Sequence, residues 1–112
     1  QYVDEVILDV EELIILIQRY CKEDIILIGY YNPIRTPHNN MSEEIEAILV
    51  YANEELAKVS KKNNIYFVDI HDMFAENQQE FLPNPLDIHP SSTGYKAISE
   101  EIIKIIEKNI LN

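Results

Sequence analysis

Two apolar runs constrain this chain most: Ile25-Ile26-Leu27-Ile28-Gly29-Tyr30-Tyr31 and Ile65-Tyr66-Phe67-Val68-Asp69-Ile70, each set between long segments of helical periodicity. Continuous β-branched and aromatic runs without polar alternation read as strands buried on both faces. Strands separated by helices imply parallel pairing through right-handed crossovers. Before the first run, Val3, Val6, Ile7, Val10, Leu13, Ile14, Ile17 and Tyr20 recur at helical spacing, and Leu8, Ile15 and Leu16 add apolar surface away from that stripe. Such a helix calls for burial on more than one side.

Between the runs, a loop through Asn32-Pro33, Arg35, Pro37 and His38 leads to a second helix, capped by Asn40 or Ser42. Glu43 and Glu44 suit its positive end, and Lys58, Lys61 and Lys62 its negative end. Its inward face is Ile45, Ile48, Leu49, Ala52, Leu56 and Val59, and Asn63-Asn64 ends it. After Ile70 comes a polar, proline-bearing connection, then a last helix from about Ser92 with Tyr95, Ile98, Ile102, Ile105 and Ile106 inward. The order is α-β-α-β-α in a single unit over residues 1–112.

Two strands make a poor parallel sheet, and both would present edges of high β propensity. The unit is therefore read as incomplete, its missing strands supplied by an upstream segment or by a second copy. A chain that begins with Gln1 rather than methionine fits a piece of a longer protein.

Charge narrows the partners. Twenty acidic residues against nine basic ones give a net charge of -11, which repels a phosphate backbone and argues against nucleic acid and anionic membrane surfaces. The most apolar stretch, Val3 to Ile17, is interrupted by Asp9, Glu11 and Glu12 and is shorter than the roughly 20 residues of a membrane span. The lone Cys21 permits no intrachain disulfide and reads as a small core residue, and the compartment stays open.

The densest chemistry lies in Asp87-Ile88-His89-Pro90-Ser91-Ser92-Thr93-Gly94-Tyr95, which sets a histidine beside a carboxylate just before the last helix. In an open parallel sheet, ligands bind where strand ends turn into helices, so His89 stands where a catalytic base would. This run, the strand ending Val68-Asp69-Ile70, and the earlier strand leading to Tyr31-Asn32-Pro33 together resemble the C-terminal half of the GDSL-type (SGNH) esterases and lipases. The resemblance implies a flavodoxin-like three-layer α/β/α sandwich with a parallel sheet. It also implies hydrolysis of small-molecule or lipid esters with no metal or organic cofactor.

The resemblance makes His89 the triad's base. The family's acid usually stands three residues before the histidine, where this chain has Leu86; the available carboxylate is Asp87, two residues before. The family's Gly-Asp-Ser and Gly-x-Asn-Asp motifs are absent, since neither Gly29 nor Gly94 begins one. Ser42 and Ser92 read as helix caps, Ser60 and Ser99 as helix positions, and Ser91 as a loop residue too near His89 in sequence to be its target. The chain alone is thus expected to be inactive, with the nucleophile and oxyanion donors upstream.

Other readings stand beside this one. Asn32 is a candidate substrate contact at its strand end, although an Asn-Pro turn explains it equally, and Asn53 is open in the same way. Tyr30 and Tyr31 divide between packing and the loop edge. His71 reads as a strand end, and His38 as solvent-exposed. A competing class is a noncatalytic module that closes its sheet by homo-oligomerisation. A third is a metal-dependent hydrolase built from Asp69, His71, Asp87 and His89.

Overall fold

The computed structural model describes residues 2–34 and 40–111, the side chains of 40–42 excepted. The readings of Arg35, Pro37 and His38, and of Asn40 or Ser42 as a cap, lie outside the described residues. Helix α1 spans Tyr2–Tyr20 and helix α2 spans Asn40–Lys62, with strand β1, Ile26–Ile28, between them. Strand β2, Tyr66–Val68, pairs with β1 in parallel, Ile26 opposite Tyr66 and Ile28 opposite Val68.

The strands are shorter than their apolar runs. Tyr66 N–H donates to Ile25 O at 3.0 Å and Gly29 N–H to Val68 O at 2.9 Å, and pairing goes no further. Beyond Gly29 the buried Asn53 of α2 takes over: its Oδ1 accepts from Tyr30 N–H at 2.8 Å and its Nδ2 donates to Tyr30 O at 2.9 Å. A side-chain amide thus stands in for a neighbouring strand. In a parallel ladder alternate residues bond to the same side, so Ile26 and Ile28 turn their backbone groups to the other edge of β1, which is free of a partner strand among the described residues.

Residues after β2 depart from the expected polar connection. They form two short helices, α3 (His71–Glu76) and α4 (Gln78–Phe81), because Phe74, Phe81 and Leu82 join Val68 and Ile70 in the core. Phe74, Ile70 and Leu82 are each 1% exposed. Phe74 stacks on Tyr31 with ring centroids 4.5 Å apart and meets Phe81 edge-on at 5.0 Å. His71 accordingly opens a helix rather than ending a strand.

Helix α5, Ser92–Ile105, continues into a π-helical turn, Ile106–Ile110. Ala97, Ile98 and Ile105 pack on the core, while Tyr95, expected inward, is 53% exposed. The cap of α5 is Ser91 rather than Ser92, its side chain accepting from Gly94 N–H.

Helix α1 buries one narrow stripe, Ile7 and Ile14, and leans on α2. Gln18 Nε2 donates to Asn63 O, and Asn63 Nδ2 donates to Glu11 Oε2, both at 2.8 Å. Asn64, at φ 58°, turns the chain out of α2 in the left-handed region that asparagine tolerates. Leu8, Leu13, Ile15, Leu16, Ile17 and Tyr20 stay exposed, and so does Cys21, which therefore is not a core residue. Two buried positions seven residues apart cannot cover a helix that is apolar on several sides. The radius of gyration, 15.3 Å, exceeds the roughly 13 Å of a compact domain near this size, and the shortest extent is 18 Å: the molecule is a slab.

Candidate active site

The loop between α4 and α5 folds by local hydrogen bonds. Asn84 Oδ1 accepts from Leu86 N–H and Asn84 O from Asp87 N–H, each at 3.0 Å, forming a turn of the kind asparagine favours. Asp87 repeats the pattern: its Oδ1 accepts from His89 N–H at 3.0 Å and lies 2.7 Å from His89 Nδ1. An ionised carboxylate only accepts, so the proton of a neutral His89 sits on Nδ1 and Nε2 keeps its lone pair. The His89 backbone N–H, then its ring, hold the Asp87 carboxyl below its ordinary range. Among the described residues, Nε2 has no partner, and the His89 side chain is 73% exposed.

Both ends of this loop are tied to the core. Upstream of the imidazole, the Tyr31 hydroxyl donates to Ile88 O at 2.6 Å. Downstream, Ser91 N–H donates to Phe81 O at 2.7 Å and Ser91 Oγ to Glu80 O at 2.6 Å. Gly94 permits that approach, since a Cβ there would lie 3.0 Å from Pro90 Cβ and 3.2 Å from Phe81 Cβ.

A second cluster joins β1, α2 and α3. Asn32 Nδ2 donates to Glu46 Oε1 at 2.9 Å, and Asn32 Oδ1 accepts from Ile34 N–H at 2.9 Å. Glu46 Oε2 lies 2.8 Å from His71 Nε2, a close ion-pair contact outside hydrogen-bond alignment, and Asp72 Oδ1 lies 2.9 Å from His71 Nδ1. Burial works against the His71 charge, but the hydrogen bond to Asp72 and the adjacent Glu46 carboxylate outweigh it and raise its pKa. Burial likewise opposes the Glu46 charge, yet Asn32 and His71 lower its pKa on balance. With a carboxylate at each ring nitrogen, the arrangement suits an imidazolium. The cluster borders a cleft of about 450 Å³ lined by Glu46, Asn53, Asp69, His71 and Asp72.

The structure thus brings Asp87 and His89 together and sets Asn32 in the other cluster, both ends of its amide engaged. Among the described residues no three His, Cys, Asp or Glu side chains converge as a metal site, so Asp69, His71, Asp87 and His89 do not form one group. The sequence reading missed Ser91 as the cap, although it stands three residues before Gly94, the spacing of a side-chain cap. It also left open Tyr31, whose bond to Ile88 spans 57 residues and has no local signal.

The model of the GDSL-like Lipase/Acylhydrolase family matches residues 3–97, which include both strands, the Asp87–His89 pair and the start of α5. No curated protein matches the chain. The family match covers most of the sequence and takes in the residues that carried the resemblance: the chain belongs to the GDSL-like lipase/acylhydrolase family.

Proposed function

We propose that this chain is the base-bearing, C-terminal part of a serine hydrolase of carboxylic esters. The observation that carries this reading is the Asp87–His89 pair, with Nδ1 held by the carboxylate and Nε2 free among the described residues. Nε2 would take the proton of a serine hydroxyl as that oxygen attacks the ester carbonyl, and Asp87 would stabilise the resulting imidazolium. The same proton then passes to the leaving alkoxide, and a water activated by Nε2 cleaves the acyl-enzyme to acid and free serine. None of these steps calls for a metal or organic cofactor.

The serine and the oxyanion donors belong to a segment outside this sequence, whose strands would complete a three-layer α/β/α sandwich. Support comes from the free edge of β1, the exposed apolar flank of α1 and the slab-like shape. A small-molecule or lipid ester is the substrate class. An apolar hollow of about 320 Å³ beside Ile88, walled by Tyr30, Tyr31, Pro33 and Leu49, suits an aliphatic portion of it. Asn32 would reach a substrate only through the second N–H and remaining lone pair of its amide.

The test is hydrolysis of nitrophenyl esters by the full encoded protein and by this chain. The full protein is expected to turn over and to lose roughly 10³-fold or more in His89→Ala, and this chain alone to be inert. Turnover by the isolated chain that His89→Ala abolishes would overturn the division between two segments; full-length activity indifferent to His89→Ala would overturn the base. The free edge of β1 also suits a second copy of a noncatalytic module. A mass in solution that doubles with concentration, together with inactivity of the full protein, would favour that reading.

A further inference from the structure

We propose that Tyr31 is a positioning residue for His89, acting through the backbone carbonyl of Ile88; this rests on the base role given to His89 above. Leu86 is 94% exposed and Ile88 60% exposed, so neither the side chain before Asp87 nor the one between Asp87 and His89 anchors the loop by burial, and the half-buried Pro90 lies beyond His89. A segment with few buried apolar contacts opens at low cost unless hydrogen bonds hold it. The bond that does so beside the pair is Tyr31 Oη–H to Ile88 O at 2.6 Å. Ile88 lies between the two residues whose relative placement the base requires.

Tyr31 can impose a position because its own is imposed. Its ring stacks on Phe74 at an interplanar angle of 21°, and Phe74, 1% exposed, is locked edge-on by Phe81. The phenol stays protonated: burial first, then the neighbouring Tyr95 and Asp87, push its pKa up, so it donates across the neutral range. Ser91 fixes the far side of the loop through Glu80 and Phe81. The imidazole is thereby suspended between two attachments to one aromatic core. Displacement of a catalytic group by about 1 Å can cost on the order of 10² in rate, so such a tether bears on function.

Tyr31→Phe removes the hydroxyl and keeps the stacked ring. In the full encoded protein, labelled with ¹⁵N-histidine and with His89 assigned by its loss in His89→Gln, two readouts decide. The imidazole of His89 is expected to move from the Nδ1–H tautomer towards a mixture. The His89 amide, bonded to Asp87, is expected to exchange roughly tenfold faster, the equivalent of one lost hydrogen bond, while the amides of Phe74 and Leu82 keep their protection. An unchanged tautomer and exchange rate at His89, or faster exchange spread evenly over the core, would overturn the proposal. Ester hydrolysis in His89→Ala is read separately: full activity there removes the base role, whereas the tautomer shift in Tyr31→Phe reports the tether alone.

Discussion

One oxygen of Asp87, Oδ1, meets both the backbone N–H and the ring Nδ1 of His89, at 3.0 and 2.7 Å. The two-residue spacing works because the side chain folds back over its own turn. An acid three residues before the histidine would need a different loop. The spacing that departs from the family pattern is thus compatible with the same imidazole–carboxylate contact.

Replacing Asp87 by Asn keeps an acceptor for the His89 backbone but removes the charge that favours the imidazolium. Ester hydrolysis by the full protein is expected to fall roughly 10²- to 10⁴-fold, with its thermal midpoint little changed. Initial-rate kinetics beside a melting curve would check both. Near-wild-type rates would show that another group orients His89.

Phe74 sits where Tyr31, Phe81 and the end of β2 meet. Phe74→Ala is expected to cost about 3–5 kcal/mol, the range for emptying a buried phenylalanine site. Urea denaturation would measure it. A loss below about 1 kcal/mol would mean that the aromatic stack is dispensable.

At Gly29 a Cβ would stand 2.6 Å from Asn53 Oδ1 and 2.8 Å from Phe67 Cζ. Gly29→Ala is expected to destabilise by about 1–3 kcal/mol, since the Asn53 amide would have to leave Tyr30. Combined with Asn53→Ala the loss should be less than the sum of the two. Strict additivity in a double-mutant cycle would show that Asn53 is not what the added methyl displaces.

The His71–Glu46 contact makes stability depend on pH in two directions. The raised His71 pKa gives a contribution fully present below the unfolded value of 6.5 and lost as pH rises through the folded one. The lowered Glu46 pKa gives a contribution present above 4.5 and lost as pH falls through the folded value. The stability difference between wild type and His71→Gln should therefore peak between about pH 4.5 and 6.5 and shrink on both sides. Urea midpoints across that range would measure it, and a difference that does not vary with pH would contradict a charged His71.

The sequence by itself determined the long helices, the two strands and their order, because those depend on periodicity and β-branched content within about 20 residues. It also singled out Asp87 and His89, which are near neighbours whose pairing is local. Only the tertiary structure decided the rest. Residues 71–76 and 78–81 form helices rather than a plain connection because Phe74, Phe81 and the following Leu82 find a core made by Tyr31, Val68 and α5. Leu13, Ile17, Tyr20 and Cys21 are exposed because α2 covers one narrow stripe of α1, whatever periodicity permits. Asn53 ends the β1 edge and Tyr31 tethers the histidine loop through bonds spanning 23 and 57 residues. Local propensity carries no trace of such contacts: they exist only once the chain has brought distant backbone groups within hydrogen-bonding reach.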